Sequence, residues 1–229
     1  MRRASVGGLP PDAASLQLAG LVALADELGV ALEATQLAQL WQFVELLLRW
    51  NRVHNLTAID SPEQALSHHL LDSLAIVPTL RTLAHDAQAR VLDVGSGGGL
   101  PGLPLAIAVP SFDVTVIDRV QKKVAFLQQV KAELHLTNVQ VVHSRVEDYR
   151  AAAFDLIVAR AFSSLVRFVR LTRHLLASGG RWCAMKGAMP HNEITELERS
   201  GLGVRAASVV KLHVPRLDAE RHLVVMEPS

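Results

Sequence analysis

A glycine-rich turn at the end of an apolar segment is the feature of this sequence best suited to chemistry. Residues 91–102 read VLDVGSGGGLPG, in which Gly95, Gly97, Gly98 and Gly99 follow the acid Asp93. Glycine lets the backbone approach a ligand without an intervening Cβ, and the following helix N-terminus adds oriented N–H groups. The pattern therefore predicts a loop that binds a small polar ligand, rather than an ordinary turn between a strand and a helix.

An acid at the end of the next predicted strand indicates what this ligand contains. Asp118 lies 23 residues beyond Gly95, where a carboxylate can accept hydrogen bonds from both hydroxyls of an adenosine ribose. The nicotinamide fingerprint is weakened because Leu100 stands where its last glycine or alanine belongs. The spacing of Asp93 and the glycines instead resembles the first motif of class I methyltransferases, which use S-adenosylmethionine. Asp118 alone fits both cofactors, and it also fits a helix N-cap.

Short apolar runs that alternate with amphipathic segments place this loop in a parallel sheet. Residues 215–218 are too few for a crossover helix, so the last two strands should pair antiparallel. The predicted strands are residues 90–94, 113–118, 139–143, 156–159, 180–186, 204–214 and 222–226. A mainly parallel sheet of seven strands that ends in an antiparallel pair resembles the α/β, Rossmann-like fold of class I methyltransferases.

The first third of the chain has helical rather than strand periodicity. After a start expected to be loose to about Pro11, helices are predicted over residues 13–28 and 37–53, and from a Ser61 N-cap with Pro62 towards Val77. Trp41 and Trp50 are expected in the core of these helices. We therefore expect a helical cap over residues 1–89 and a methyltransferase core over residues 90–229, with a loop over residues 83–88.

Composition excludes several classes of protein. The 229 residues carry a net charge of +1 and one cysteine, Cys183, which rules out an internal disulfide framework and a cysteine-based zinc site. No apolar run approaches a membrane span, so the expected location is the cytoplasm. The adjacent His68 and His69 have no further ligand cluster, so no metal is expected.

Basic residues are concentrated in the second half of the chain. Residues 156–192 contain six of them and no carboxylate, which predicts a surface that faces phosphates or, alternatively, a solvated helix face. The six are Arg160, Arg167, Arg170, Arg173, Arg181 and Lys186.

The residues after the fourth predicted strand bear on the methyl acceptor. They read Ala159-Arg160-Ala161-Phe162, whereas enzymes of this class that methylate exocyclic amines carry an Asn/Asp-Pro-Pro-aromatic signature there. Cys183 lies in the middle of the fifth predicted strand, which suits a buried small residue better than the nucleophile of a cytosine-C5 enzyme. The sequence therefore disfavours both of these acceptors.

Motifs along nearly the whole chain resemble the 16S rRNA guanine-N7 methyltransferases, the family once named glucose-inhibited division protein B. In order and spacing they are specific to that family. The matching segments are residues 50–51, 55–57, 69–73, 93–102, 122–127, 144–147, 159–162, 185–187 and 221–225. The resemblance implies methyl transfer from S-adenosylmethionine to N7 of guanine 527 in the 530 loop, on free 16S rRNA, the small subunit or an assembly intermediate.

The same resemblance assigns site residues. It implies cofactor contacts at Gly95, Leu100, Val146, Glu147 and Arg160, with the adenine at the backbone of the Val146-Glu147 pair and the cofactor's amino group near Asp93. Many members have alanine where this chain has Val146. Arg160 would position cofactor and base without transferring a proton, because the N7 lone pair attacks the methyl directly.

Some alternatives stay open at this point. The basic residues from Arg160 to Arg173, with Lys186, would face RNA phosphates. His69 and Asp72 either orient RNA or cofactor or form an ion pair on the helix surface. The alternative activities are methyl transfer to another RNA or to a small molecule, a nicotinamide-dependent reduction, and non-enzymatic ribosome binding.

Overall fold

Residues 20–84, 88–160 and 162–229 are described by the computed structural model. Within these ranges seven strands form one sheet in the order β3-β2-β1-β4-β5-β7-β6. Strands β1 to β5 are parallel, and β7 pairs antiparallel with both β5 and β6. The strands are β1 Arg90–Val94, β2 Asp113–Asp118, β3 Val139–His143, β4 Phe154–Arg160, β5 Leu176–Lys186, β6 Val204–Leu212 and β7 Arg221–Pro228. This architecture confirms the α/β class I methyltransferase fold.

The predicted strand bounds are correct for β1, β2 and β3 and differ for the other four strands. The largest difference is in β5, which begins at Leu176 rather than at Gly180. The pairing of β4 with β5 shifts register between Phe154 and Leu156, and Gly179 has a φ of 77°. The Gly179-Gly180 pair is accommodated as an irregularity inside the strand.

The first third of the chain is helical, as predicted, but its third helix is interrupted. Residues 20–27 are helical and Leu28 lies in a turn, whereas residues 13–19 of the predicted first helix and the start expected to be loose lie outside the described residues. After α1 (Ala34–His54), the Ser61 hydroxyl accepts the N–H of Gln64 and caps the next helix, α2 (Pro62–Ala65). The remaining elements are a π-helical turn Leu66–Leu71, α3 Asp72–Leu74 and α4 Val77–Leu83. The predicted continuous helix to Val77 is therefore wrong in detail, and residues 85–87 of the predicted loop lie outside the described ranges.

Helices cover both faces of the sheet. The remaining helices are α5 Gly102–Ala108, α6 Gln121–Glu133, α7 Leu165–Thr172 with a 3₁₀ turn Arg173–Leu175, and α8 His191–Arg199. On one face Leu47 of α1 shares a hydrophobic core with Leu103 and Phe126. On the other face Phe168 of α7 and Leu197 of α8 pack over the sheet. The N-terminal helices therefore continue the core on one side of the sheet.

Two residues with a predicted packing role lie where the sequence suggested. Trp50 is half-buried, packs against the core to which α1 contributes and donates to Gln129 Oε1 at 3.0 Å. Trp41 is also half-buried but is not part of this core, so the expectation that it lies in the core is wrong. Cys183 is fully buried in β5, and burial raises the pKa of its thiol to about 12. Among the described helices, none is both long and apolar enough to cross a membrane.

Candidate functional site

The glycine loop joins β1 to α5 and is held against the end of β2. The N–H groups of Gly95 and Ser96 both donate to the carbonyl of Ile117, at 2.9 and 3.1 Å. Gly95, Gly97 and Gly99 all have positive φ, and a Cβ on Gly99 would lie 2.4 Å from Leu103 Cδ1. The sequence at this turn is therefore dictated by backbone conformation and close packing.

Asp118 closes the loop from the end of β2. Its Oδ2 accepts the N–H of Gly97 at 3.0 Å and its Oδ1 accepts the N–H of Val120 at 2.9 Å. The Lys123 ammonium lies 3.9 Å from Oδ2. The N-cap residue of α6 is Val120, so the alternative that Asp118 caps this helix is wrong. The carboxylate instead fixes the loop beside the sheet edge.

Asp93 is a fully buried carboxyl group below the loop. Its Oδ2 accepts the N–H of Gly102 at 3.0 Å, whereas its Oδ1 has no hydrogen-bond partner in the described part of the chain. Burial raises the pKa of the Asp93 carboxyl to about 7. A Cβ on Gly102 would approach Oδ2 to 2.7 Å, so this glycine allows the close contact. The orphaned oxygen is a buried acceptor available to a ligand donor.

A cleft with a volume of about 330 Å³ opens over the carboxyl ends of β1, β2 and β3. Four of the predicted cofactor residues line it, namely Gly95, Asp118, Val146 and Glu147. Leu100 is instead buried below the loop, where its N–H donates to Ser96 O at 3.0 Å. The cleft wall also includes side chains to which the sequence assigned no cofactor contact: Arg119, Lys123, Arg145, Phe162 and Leu171.

Glu147 holds a negative charge at the mouth of this cleft. Its Oε1 accepts from Arg145 Nε at 2.8 Å. The hydrogen bond to its own backbone N–H, followed by that from Arg145, lowers the pKa of the Glu147 carboxyl. The charged carboxylate and the positive side chains of the wall give the cleft mixed polarity, which suits a zwitterionic ligand.

Arg160 lies at the end of β4 in contact with the π-helical turn. Its Nη1 donates to His68 O at 3.1 Å and lies 3.5 Å from Asp72 Oδ2. Asp72 is buried, and its Oδ1 accepts from Arg221 Nε, at the start of β7, at 3.0 Å. Burial raises the pKa of the Asp72 carboxyl, and the positive charges of Arg160 and Arg221 oppose that rise. Asp72 thus ties the helical segment to two strands of the sheet.

His69 extends the same network into the loop after α1. The Thr57 hydroxyl accepts the N–H of Ile59 and lies 2.7 Å from His69 Nε2. His69 Nδ1 lies 3.0 Å from His68 O and 3.3 Å from Arg160 Nη1. Burial, with the nearby Arg160 charge, lowers the pKa of the His69 imidazole to about 4. The alternative of a surface ion pair between His69 and Asp72 is wrong, because both are buried and Asp72 pairs with the two arginines instead.

The π-helical turn explains why Arg160 finds an acceptor in a helix. The N–H of Asp72 donates to the carbonyls of Ser67 and His69 rather than to that of His68. The His68 carbonyl is left for the Arg160 guanidinium. Insertions of this kind in helices are frequent at functional sites.

The basic residues of the acid-free stretch divide into two groups. Lys186, expected to face RNA phosphates, instead lies 2.7 Å from Glu193 and is nearly buried, and Arg181 lies 2.8 Å from Glu227. Arg160 is held by Asp72. The expectation is therefore wrong for Lys186, whereas Arg167, Arg170 and Arg173 are exposed along α7 and the turn that follows.

Comparison with known proteins assigns the chain to a family. A family model described as rRNA small subunit methyltransferase G matches residues 36–224. The chain belongs to the rRNA small subunit methyltransferase G family. It is 52% identical to the protein of that name from Laribacter hongkongensis over 86% of this chain and 92% of that protein. It is 53% identical to the one from Ralstonia nicotianae over 91% of this chain and 94% of that protein.

Solved structures agree on the fold of this family member. A SAM-dependent methyltransferase from Aquifex aeolicus superposes with a TM-score of 0.55 at 18% identity, over 75% of this chain and 96% of that one. TrmN from Thermus thermophilus superposes with a TM-score of 0.52 at 18% identity, over 72% of this chain and 53% of that one. As a member of the rRNA small subunit methyltransferase G family, the chain is an enzyme of the S-adenosylmethionine-dependent methyltransferase class.

The sequence did not predict the contacts that fix Arg160. Asp72 and Arg221 are separated by 149 residues, and no spacing rule connects them. Asn51, also buried, accepts the N–H of Thr57 and donates to Ile59 O. The family motifs contained these residues, and shared motif membership was the only signal that they act together.

Proposed function

We propose that this chain transfers a methyl group from S-adenosylmethionine to N7 of guanine 527 in the 530 loop of 16S rRNA. The observation that carries the proposal is the cleft at the carboxyl edge of the sheet, which Gly95 of the glycine loop and Asp118 line. The buried Asp93, with one carboxyl oxygen that has no partner in the described part of the chain, lies on the strand that leads into this loop. Membership of a family whose relatives are named for the ribosomal small subunit supports an rRNA acceptor. The site would act in the cytoplasm, where ribosomal subunits are assembled.

The residues of the cleft fit S-adenosylmethionine. Asp93 Oδ1 would accept from the amino group of the methionyl part, and Asp118 has lone pairs for the ribose hydroxyls. The backbone at Val146 and Glu147 would hold the adenine, and the glycines would admit the ligand close to the loop. When bound, the cofactor supplies an electrophilic methyl group on a sulfonium.

The work left to the protein is alignment of the acceptor. Guanine N7 carries a lone pair and no proton, so the chain need not supply a general base. Arg160 would orient the base through O6 of guanine, because guanidinium N–H groups can donate to this oxygen and leave the N7 lone pair free to attack the methyl. The contacts of Arg160 with His68 O and Asp72 hold the guanidinium in one direction before substrate binds, and such orientation lowers the barrier.

Cofactor binding is testable with two glycine variants. Gly97→Leu places a side chain in the loop at a φ of 57°, and Gly179→Leu does the same at a φ of 77° on exposed backbone in β5. The two share the backbone penalty, but only Gly97 is next to the cleft. In titration calorimetry with S-adenosylmethionine, Gly97→Leu should abolish binding and Gly179→Leu should preserve it. Equal affinities would refute the loop assignment.

The acceptor is testable with methyl-labelled S-adenosylmethionine. Small-subunit RNA from a strain that lacks the modification should accept label, and fully modified RNA should not. Stronger retention of labelled NAD than of S-adenosylmethionine would favour a reductase. Cofactor binding without transfer to any RNA would direct the search to small-molecule acceptors, and RNA binding that is independent of cofactor and gives no product would indicate a ribosome-binding factor.

A further inference from the structure

Three exposed arginines lie along α7 and the turn that follows it. The opposite side of this helix is buried against the sheet through Leu165, Val166, Phe168 and Val169. The packing of α7 is therefore supplied by apolar residues. Arg167, Arg170 and Arg173 are exposed and are not needed to hold the helix in place.

The charges of these arginines are not neutralised within the described ranges. Arg160, Arg181 and Lys186 each pair with a carboxylate, whereas no salt bridge in the described part of the chain includes Arg167, Arg170 or Arg173. Three like charges within seven residues of an exposed surface produce a positive potential. A surface of this kind attracts a polyanion.

The arginine surface is continuous with the cofactor cleft. Arg167 lines the cleft, and its charge contributes to lowering the pKa of the Glu147 carboxyl. Arg170 lines a second cleft, of about 490 Å³, between α7 and α8. The other residues lining this second cleft are Val166, Asn192, Thr195, Glu196, Arg199 and Ser200.

The second cleft is rich in groups that bind phosphate oxygens. Two guanidinium groups and an amide can donate there, whereas the hydroxyls of Thr195 and Ser200 already donate to backbone carbonyls of α8. Glu196 is the only carboxylate among the lining residues. Arginine binds phosphate in a bidentate geometry, and phosphate contacts position a nucleic acid on a protein. The negative charge of Glu196 repels an anion in this cleft and therefore lowers the affinity of the cleft for phosphate.

We propose that Arg170, Arg173 and Arg199 bind the RNA sugar-phosphate backbone that flanks the methylated nucleotide, with Arg167 where this track enters the cofactor cleft. The inference rests on the proposed function, because only a polynucleotide acceptor extends beyond the cleft. RNA is favoured over an acidic protein because the charged surface begins at the site of chemistry and continues along one helix. The phosphate track is then the part of the site that discriminates the rRNA from a free guanine.

The test compares two triple variants of the full chain that remove the same charge. The track variant is R170Q/R173Q/R199Q, which leaves Arg167 in place because it lines the cofactor cleft. The control variant is R81Q/K131Q/K211Q, whose residues lie on α4, α6 and β6. Binding to unmodified small-subunit RNA is measured over a range of KCl concentrations, and S-adenosylmethionine affinity is measured in parallel.

The track variant should bind RNA with a shallower salt dependence than the wild type. Each lost phosphate contact reduces the slope of log K against log salt by about 0.7, so three contacts reduce it by about 2 and weaken binding about 100-fold at 0.1 M salt. KM for RNA should rise, while the affinity for S-adenosylmethionine stays unchanged. Glu196→Gln should shift RNA affinity in the opposite direction, which misfolding cannot mimic.

Two outcomes would overturn the inference. If the wild type methylates the RNA and the track variant has the salt slope and KM of the control variant, the phosphate contacts lie elsewhere. If the track variant loses binding to an acidic protein but not to RNA, the surface serves a protein partner. Failure of the wild type to methylate any RNA would instead refute the proposed function on which the inference rests.

Discussion

Asp72 accepts from Arg221 on one carboxylate oxygen, at 3.0 Å, and lies 3.5 Å from Arg160 on the other. Its side chain is 4% exposed, while those of the two arginines are 25% and 23% exposed. A carboxylate this buried is stabilised by its partners rather than by water. The contacts of Asp72 with the two arginines fix the position of Arg160, at the end of β4, relative to both the π-helical turn and β7.

Asp72→Asn keeps the shape of the side chain and removes its charge. Hydrogen bonds to charged groups are worth about 1.5–3 kcal/mol, so we expect the free energy of unfolding to fall by about 2 kcal/mol. Urea unfolding measures the change. Asp148→Asn is the control, because Asp148 is 70% exposed and lies 3.9 Å from Arg145. Equal effects of the two substitutions would contradict a structural role for the Asp72 network.

Asp72→Asn also tests whether the network positions Arg160 for the reaction. We expect kcat to fall more than the affinity for S-adenosylmethionine, because the cofactor cleft does not include Asp72. Single-turnover rates and calorimetry give the two quantities, at a temperature where the variant is folded. A fall in cofactor affinity with unchanged kcat would contradict this assignment.

His69 should make the folded state less stable in acid. The pKa of its imidazole is about 4 in the folded chain and 6.5 in the unfolded chain, so the unfolded chain takes up a proton that the folded chain refuses. Stability is present above pH 6.5 and is lost as the pH falls towards 4, by about 1.4 kcal/mol per pH unit. His69→Gln should lose this dependence, and His191→Gln, on exposed α8, is the control. Identical pH profiles of stability for the wild type and His69→Gln would show that His69 does not cause the loss of stability in acid.

Asp93 should have the opposite pH dependence. The pKa of its carboxyl is about 7 in the folded chain and 3.8 in the unfolded chain, so the folded chain holds a proton that the unfolded chain releases. Its contribution is full below pH 3.8 and is lost as the pH rises through 7, also by about 1.4 kcal/mol per unit. Between pH 4 and 6.5 the two groups oppose each other in the wild type. Asp93→Asn lacks this contribution, so its free energy of unfolding should rise with pH over this range. Urea unfolding without cofactor measures the change. A pH profile parallel to that of the wild type would contradict this role of Asp93.

Gly99→Ala should cost more than its backbone conformation alone explains. A Cβ there meets buried Leu103 at 2.4 Å, whereas a Cβ on Gly179, at a similar φ of 77°, meets nothing within 4 Å. Overpacking typically costs about 1–3 kcal/mol, so Gly99→Ala should unfold about that much more easily than Gly179→Ala. Thermal unfolding of both variants gives the difference. Equal losses would mean that Leu103 moves aside without cost.

Local pattern predicted the elements that lie near the glycine loop. Strands β1 and β2 are short and mostly buried, and β3 is a partly buried strand at the edge of the sheet; the limits of all three agree with the apolar runs of the sequence. The start of β5 could not be predicted from hydrophobicity, because a Gly-Gly pair inside a strand is tolerated only through the irregular pairing with β4. The break after Leu74 was also missed, since the apolar residues continue without change of period into α4.

The site was predicted in part for a similar reason. Gly95 and Asp118 follow consecutive parallel strands, so the topology brings them to one edge and sequence spacing is informative. Lys186 illustrates the opposite case, because the carboxylate that neutralises it, Glu193, lies just outside the acid-free stretch. A count of charges along the chain cannot distinguish a basic residue inside an ion pair from one that faces solvent.

The most direct test of the proposed activity is to map the methyl group. The protein is incubated with methyl-labelled S-adenosylmethionine and small-subunit RNA from a strain without its own copy of the enzyme, and the label is located by nuclease digestion and mass spectrometry. We predict label on N7 of guanine 527 and on no other nucleotide. Label on another atom or another nucleotide, or no label despite measurable cofactor binding, would contradict the proposed activity.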